Sequence, residues 1–161
     1  MKIQNGFEYD DLKNSSISKK NIFIVASKWN NEIVSMMISE SVKYLESLGV
    51  TNVKVLRVPG AWEIPFGSLK AIERGADGII AFGAIIKGET PHFDIISKTS
   101  SQALMDITLK TMIPVANGIL ATNNLDQAVD RASPSFLNKG KEITQSLFRD
   151  DGDLVEKFSK I

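Results

Sequence analysis

The chain has no cysteine and only one histidine among its 161 residues. The absence of cysteine excludes disulfide bonds and thiolate chemistry, and it is typical of proteins from a reducing compartment. Because transition-metal sites draw their ligands largely from histidine and cysteine, this composition also disfavours a metal site. The sequence contains no Walker, GxGxxG or GxSxG motif, which disfavours P-loop enzymes, Rossmann dehydrogenases and serine hydrolases.

An excess of charge of one sign is also lacking, since 19 basic and 19 acidic residues give a formal net charge of zero. The electrostatics of the whole molecule therefore favour neither nucleic acid nor a membrane surface as a partner. No apolar run approaches the roughly 18 residues that cross a bilayer. The N-terminal segment contains acidic residues and no apolar stretch, unlike a signal peptide. We therefore expect a soluble, cytoplasmic protein.

The length and the apolar content of 43% predict one globular domain with one core. Residues 1–20 are polar and non-periodic, and we interpret them as an N-terminal arm. This arm is either disordered or paired with a neighbouring subunit. Residues 21–161 are predicted to form the single domain.

Four apolar runs are predicted to be strands, and segments with helical periodicity follow them. The strands cover residues 21–26, 52–58, 78–82 and 115–121. The alternation predicts an α/β fold with a parallel sheet and helices on both faces. Lys54 and Arg57 suit an edge position for the second strand.

Several helix ends are also marked in the sequence. Gly49 and Gly75 are predicted to stop the first two helices, and the third is expected to end near Thr111. Asn124 and Gln127 resemble a capping box for a helix through Arg131. A final amphipathic helix is predicted from the apolar positions Ile143, Leu147, Leu154, Val155 and Phe158.

The loops after parallel strands converge on one edge of a sheet, and three of them carry unusual residues. The two tryptophans of the chain, Trp29 and Trp62, both follow strand ends. Each is either a packing residue or a ring exposed for stacking on a planar heterocycle. Glu63 is either a carboxylate at a helix start or an acceptor for the hydroxyl groups of a ligand.

The third loop, residues 83–94, lies between a buried strand and a helix. Thr90 is predicted to cap this helix, with Pro91 in its first turn. The free backbone N–H groups at such a point favour an anion, for which Lys87 and Arg131 are candidate counter-charges. His92 is either an ordinary surface residue or a group that transfers protons.

Taken together, these loops resemble the 6,7-dimethyl-8-ribityllumazine synthase family from about residue 21 onward. The resemblance is carried by VPGAWEIP (residues 58–65) and GAIIKGETPHFD (residues 83–94). DQAVDRA (residues 126–132) and the triplet Asn138-Lys139-Gly140 support it. The order and the spacing of these motifs make the resemblance specific.

The resemblance implies a flavodoxin-like three-layer sandwich with a four-stranded parallel sheet. It implies an enzyme of riboflavin biosynthesis, a transferase that needs no cofactor and no metal. Its two small-molecule substrates are 5-amino-6-ribitylaminouracil and 3,4-dihydroxy-2-butanone 4-phosphate, which yield 6,7-dimethyl-8-ribityllumazine, phosphate and water. It also implies a homopentamer, which in some members packs into a sixty-subunit shell.

Individual site residues also follow from the resemblance. His92 matches the histidine that transfers protons, and Trp29 matches the aromatic residue that stacks on the pyrimidinedione. The remaining substrate-binding positions are Ala61, Trp62, Glu63, Ala84, Ile85, Ile86 and Asn117. The phosphate-binding positions are Gly88, Glu89, Thr90 and Arg131.

Two segments depart from the pattern of the family. Asn117 stands where many members have a phenylalanine that reaches a neighbour's site. Ser135-Phe136-Leu137 replaces a more usual Lys-Ala-Gly before the last helix, which leaves shell formation open. A non-catalytic flavin- or pteridine-binding protein, a shell-forming protein, and a related pentameric riboflavin synthase are the alternatives.

Overall fold

Four parallel strands form one sheet in the computed structural model, which describes residues 15–148 and Leu154. The strands are β1 (Ile22–Ser27), β2 (Val53–Val58), β3 (Gly78–Ile86) and β4 (Val115–Thr122). Their order is β2-β1-β3-β4, and all three pairings are parallel. This order is that of flavodoxin-like folds, which confirms the predicted fold class. The edge position predicted for β2 is also confirmed.

Within the described residues, five helices cover the two faces of the sheet. They are α1 (Asn31–Ser47), α2 (Ile64–Glu73), α3 (His92–Thr111), α4 (Leu125–Ala132) and α5 (Lys139–Gln145). Side chains of β1 alternate between two cores, with Ile22 and Ile24 on one face and Phe23 and Val25 on the other. The first core also contains residues of α1, α4 and α5, and the second contains residues of α2 and α3. The result is the three-layer sandwich that the resemblance implied.

Strand β3 is longer than the apolar run that predicted it. It continues to Ile86, and its last four residues pair with residues 119–122 of β4. The prediction ended the strand at Phe82 because Gly83 looked like the first residue of a loop. Instead, the partner strand extends alongside it, and Ile85 and Ile86 each pack against a different core.

The helix stops at Gly49 and Gly75 are confirmed. Both residues have positive φ angles, 79° and 90°, which glycine adopts without strain. The cap of α4 is confirmed in part. Asn124 Oδ1 accepts a hydrogen bond from the Gln127 N–H at 2.9 Å, but Gln127 Oε1 accepts from the N–H of Asn123 instead of Asn124.

The last helix was predicted to be longer than it is. Helix α5 ends at Gln145, and the Ser146 hydroxyl then donates to the Ile143 carbonyl at 2.6 Å. Leu147 is buried beyond the helix, and Leu154 forms an isolated antiparallel bridge with Phe148. The antiparallel bridge is incompatible with the one continuous helix that the periodicity suggested. Val155 and Phe158 lie outside the described residues.

Most of the predicted N-terminal arm, residues 1–14, also lies outside the described residues. Its last part, Ser15–Lys19, forms a 3₁₀ turn in which Ile17 is fully buried. Ile17 belongs to the core on the α1 face of the sheet. Across residues 15–148, no helix has the length and apolar content needed to cross a membrane.

Candidate active site

The loops that follow the four strands lie at the carboxyl edge of the sheet, where the chain turns into its helices. The strand order reverses between β1 and β3, because β2 lies on one side of this pair and β4 on the other. In open parallel sheets, ligands bind in the crevice outside the strand ends at such a switch point. The loops after β1 and β3 flank this crevice.

Direct hydrogen bonds hold the loop after β1 against its two neighbours. The N–H groups of Lys28 and Trp29 donate to the carbonyls of Val58 and Pro59, at 2.7 and 3.1 Å. On the other side, Asn30 Nδ2 donates to the Ala84 carbonyl of β3 at 2.8 Å. Strand β1 ends before it reaches Ala84, so the side-chain amide of Asn30 supplies the hydrogen bond that a residue of a neighbouring strand would otherwise donate. These bonds join the loops after β1 and β2 to the end of β3.

Both tryptophans are exposed, at 74% for Trp29 and 58% for Trp62. The interpretation of either residue as core packing is therefore wrong. Exposing two large aromatic side chains is unfavourable unless a ligand or another chain covers them. The Trp29 indole N–H makes no hydrogen bond with the described part of the chain, so it too is available to a ligand.

The carboxylate of Glu63 stabilises the turn that follows β2. Ala61–Glu63 forms a 3₁₀ turn, and Glu63 Oε2 accepts a hydrogen bond from the Gly60 N–H at 2.9 Å. This bond supports the interpretation of Glu63 as a carboxylate at a helix start. The second carboxylate oxygen bonds to none of the described residues and can accept from a ligand hydroxyl.

The loop after β3 is exposed from Lys87 to Thr90. Thr90 was predicted to cap α3, and this prediction is wrong. Pro91 is the N-cap, and the first bond of the helix runs from the Ile95 N–H to the Pro91 carbonyl at 3.2 Å, so Thr90 lies one residue outside. Among the described residues, no side chain caps this helix start.

The start of α3 therefore offers free backbone donors at the carboxyl edge of the sheet. These donors and the helix dipole favour an anion. A Cβ atom built on Gly88 would meet no atom of residues 15–148 within 4 Å beyond its chain neighbours, so this part of the loop is open in the described structure. His92 is the first residue of α3, and its exposed ring makes no hydrogen bond within the described residues.

Two of the predicted site residues lie on α4 and β4 and not on these loops. Arg131 is half-buried, and its Nη1 donates to the Gln127 carbonyl of its own helix at 3.0 Å. Asn117 lies five residues before the end of β4, roughly 16 Å from the carboxyl edge. Its amide bonds to Ser101 of α3 and to the Ile119 N–H, at 3.2 and 3.0 Å. Within one chain, the structure does not bring Asn117 to the other candidate residues.

Arg57 was interpreted from the sequence only as a charge on an edge strand. Its Nη2 donates to the Ser27 carbonyl at 2.9 Å and to Asn31 Oδ1 at 2.7 Å. These two acceptors flank the loop that carries Trp29. The available signal was the position of the arginine, two residues before the Pro59-Gly60 turn.

A search of the described residues finds no group of three or more histidine, cysteine, aspartate or glutamate side chains able to hold a metal ion. The chemistry available at the carboxyl edge is therefore that of aromatic rings, backbone donors, the carboxylates of Glu63 and Glu89 and the imidazole of His92.

Comparison with known proteins identifies the family. A family model described as 6,7-dimethyl-8-ribityllumazine synthase matches residues 19–149. The synthase of that name from Nitratidesulfovibrio vulgaris is 41% identical over 127 residues, which cover 77% of this chain and 81% of the relative. The synthase from Leuconostoc mesenteroides is 37% identical over 147 residues, which cover 89% and 92%. The synthase from Limosilactobacillus reuteri is 36% identical over 133 residues, which cover 82% and 88%. The chain therefore belongs to the 6,7-dimethyl-8-ribityllumazine synthase family.

Proposed function

We propose that this chain condenses 5-amino-6-ribitylaminouracil with 3,4-dihydroxy-2-butanone 4-phosphate to 6,7-dimethyl-8-ribityllumazine, releasing phosphate and water. The family supports this reaction. The observation that carries the proposal is an exposed Trp29 at the switch point of the sheet, on a loop that is bonded to the end of β2 and to the end of β3. The uncapped start of α3 follows the end of β3 at the same edge.

In this proposal the pyrimidinedione ring stacks on Trp29, and the ribityl chain bonds to the turn of Ala61, Trp62 and Glu63. The free oxygen of Glu63 accepts from a ribityl hydroxyl. The last residues of β3, Ala84–Ile86, form the wall between the two substrates. The phosphate binds to Gly88, Glu89 and Thr90 and to the free N–H groups at the start of α3. Arg131 supplies a positive charge once its guanidinium leaves the Gln127 carbonyl.

His92 transfers protons while the amine adds to the ketone, phosphate leaves and the ring closes. General acid–base catalysis by one group typically contributes about 10²–10⁴-fold, or about 3–5 kcal/mol. Holding two reactants in the correct orientation contributes up to ~7–11 kcal/mol. Because both substrates are reactive in themselves, the larger contribution of this site is orientation.

The direct test mixes both substrates with the full chain and follows lumazine absorbance together with phosphate release. We expect the two products to appear in equal amounts. Trp29→Phe should keep most of the activity because it keeps a flat ring, whereas Trp29→Ala should lose it without loss of the fold, since the side chain is 74% exposed. Tight binding of riboflavin-like ligands without phosphate release would support the carrier alternative instead. Conversion of the lumazine itself to riboflavin would support the riboflavin synthase alternative.

We also propose that the chain assembles as a homopentamer or as a shell built from pentamers. The outer face of α3 supports an assembly, because it exposes the large apolar side chains Ile95, Met105, Leu109 and Met112. An open groove beside this face is lined by Asn117 and by polar and apolar residues of α3, among them Met105. A neighbouring chain on this face would give Asn117 access to a second site. The balanced charge and the absence of cysteine favour the cytoplasm as the compartment of this assembly.

A further inference from the structure

Arg57 connects the two ends of the loop that carries Trp29. One nitrogen, Nη2, donates both to the Ser27 carbonyl at 2.9 Å and to Asn31 Oδ1 at 2.7 Å. Ser27 is the last residue of β1, and Asn31 is the first residue of α1. The guanidinium thus spans residues 28–30 and links the strand before them to the helix after them.

Contacts on both sides restrain this loop. Its first half is held by the bonds of Lys28 and Trp29 to the carbonyls at the end of β2. The second half contains Asn30, whose φ and ψ angles of 55° and 45° are left-handed, a conformation that asparagine adopts more readily than most residues. The Asn30 amide bonds to the Ala84 carbonyl at 2.8 Å. The bond from Arg57 to Asn31 adds a restraint on the helix side, at the residue directly after Asn30.

Stability alone gives a poor reason for an arginine at this position. Arg57 Nε is buried and has no hydrogen-bond partner among the described residues. The guanidinium also forms no salt bridge within that part of the chain, where the three ion pairs are lysine–glutamate pairs. A buried donor without a partner is destabilising, so a methionine at this position would remove an unfavourable feature together with the two bonds.

We propose that Arg57 is a positioning residue that fixes the ring of Trp29 for the planar substrate. Arg57 does not touch the substrate, and it acts through the geometry of the loop. The kinetic effect expected from this inference rests on the proposed function. The structural effect, which is the motion of the Trp29 ring, does not. Loss of Arg57 should leave the fold intact and allow the Trp29 ring to move.

The structural consequence is measured by fluorescence. In a Trp62→Phe background Trp29 is the only tryptophan, so at unchanged protein size a change in its anisotropy reports a change in the motion of that ring. We expect Arg57→Met to lower the anisotropy and Arg57→Lys, which keeps one donor, to restore it in part. Arg74→Met is the matched control, because Arg74 is an exposed arginine at the end of α2. Asn31→Ala is a second variant, which removes one of the two bonds at an exposed position.

The kinetic consequence is measured with Trp62 intact. Arg57→Met should raise the KM for the pyrimidine substrate about tenfold and change the KM for the phosphorylated substrate less than about twofold. Equal anisotropy in Arg57→Met, Asn31→Ala and Arg74→Met would overturn the proposal. An equal rise of both KM values without rescue by lysine would also overturn it and indicate a merely structural arginine. If neither the parent chain nor any variant forms lumazine, the proposed function fails. The anisotropy still shows whether Arg57 restrains the ring of Trp29.

Discussion

The exposed imidazole of His92 stands at the start of α3, beside the loop proposed to hold phosphate. We expect His92→Ala to lower kcat on the order of 10²-fold without abolishing turnover, because the orientation of both substrates is retained. Steady-state kinetics with both substrates measure this effect. An unchanged rate would exclude His92 from proton transfer. Complete loss of turnover with intact substrate binding would show that proton transfer outweighs orientation.

Arg131 tests the proposed phosphate site from the helix side. If its guanidinium holds the phosphate, Arg131→Ala should raise the KM for the phosphorylated substrate at least about tenfold more than that for the pyrimidine. Alanine is the best helix former, so α4 should remain folded. Arg74→Ala, an exposed arginine on α2, is the control. Equal effects on both KM values would indicate that Arg131 is a structural residue, which bonds to Gln127 and does not hold the phosphate.

At the scale of residues, the sequence was informative where chemistry and position coincide. Trp29, Trp62 and His92 are rare residue types at strand ends, and the structure places them at the carboxyl edge, exposed. Residue type and position in the sequence did not predict contacts between distant parts of the chain. Arg57 bonds to a carbonyl 30 residues earlier, and a pattern of residue types contains no signal for that partner.

At the scale of elements, apolar runs predicted all four strands and their alternation with helices. The apolar runs did not predict the strand and helix ends that are determined by contacts with other elements. Strand β3 continues through Gly83 because β4 pairs with it to Ile86. Helix α5 stops at Gln145, and Phe148 then bridges to Leu154, a pairing that helical periodicity does not contain.

The packing of α5 on α1 depends on the absence of a side chain at Gly140. A Cβ atom there would lie 2.5 Å from the Met37 carbonyl oxygen and 2.7 Å from its Cα, both in the backbone of α1. We expect Gly140→Ala to lower the free energy of unfolding by about 1–3 kcal/mol, since one helix must shift. Gly88→Ala is the matched control, because no atom lies within 4 Å of its Cβ position. Urea unfolding of both variants measures the difference, and equal stabilities would show that the two helices separate without cost.

A second link between these helices depends on pH. The Lys43 ammonium, which bonds to the Glu40 carboxylate at 3.0 Å, holds the pKa of Glu40 below its ordinary value of 4.5. Burial opposes this shift, and the Asn138 amide adds to it across the 3.2 Å bond that joins α1 to the start of α5. A lowered pKa in the folded state means that the stabilisation is complete above the unfolded pKa. It is lost as the pH falls through the folded pKa.

We therefore expect Glu40→Gln to be less stable than the parent chain at pH 7, by less than ~1 kcal/mol. The difference should shrink as the pH falls through the lowered pKa of Glu40, because the parent chain then gains a neutral side chain as well. Thermal unfolding of both proteins across this range measures it. Glu73→Gln is the control, since it removes the same charge from the exposed pair with Lys70. A difference that persists at low pH would assign the effect to packing and not to charge.

At the scale of the whole molecule, the order of the strands in the sheet determines where a site can form. The exposed side chains of the helices indicate which surfaces a single chain leaves uncovered. The order β2-β1-β3-β4 brings three of the sequence-predicted loops to one edge. Asn117 lies beside α3 instead, tied to Ser101. No property of one sequence specifies the relative placement of two copies, so the part of the site that a neighbour completes stays a prediction.

Leu109 lies in the apolar stripe of α3 and is 67% exposed in the single chain. If a neighbouring chain covers this stripe, Leu109→Glu buries an unpaired carboxylate at the interface, which is strongly unfavourable. We expect the variant to dissociate into smaller species, measured by size-exclusion chromatography with light scattering. Lys110→Glu is the control, because it changes the charge of the same helix at the next position and leaves the stripe intact. An unchanged mass for Leu109→Glu would show that α3 faces solvent in the assembly and that another surface joins the subunits. A loss of activity that accompanies dissociation, with the fold retained, would indicate that the site is completed between chains.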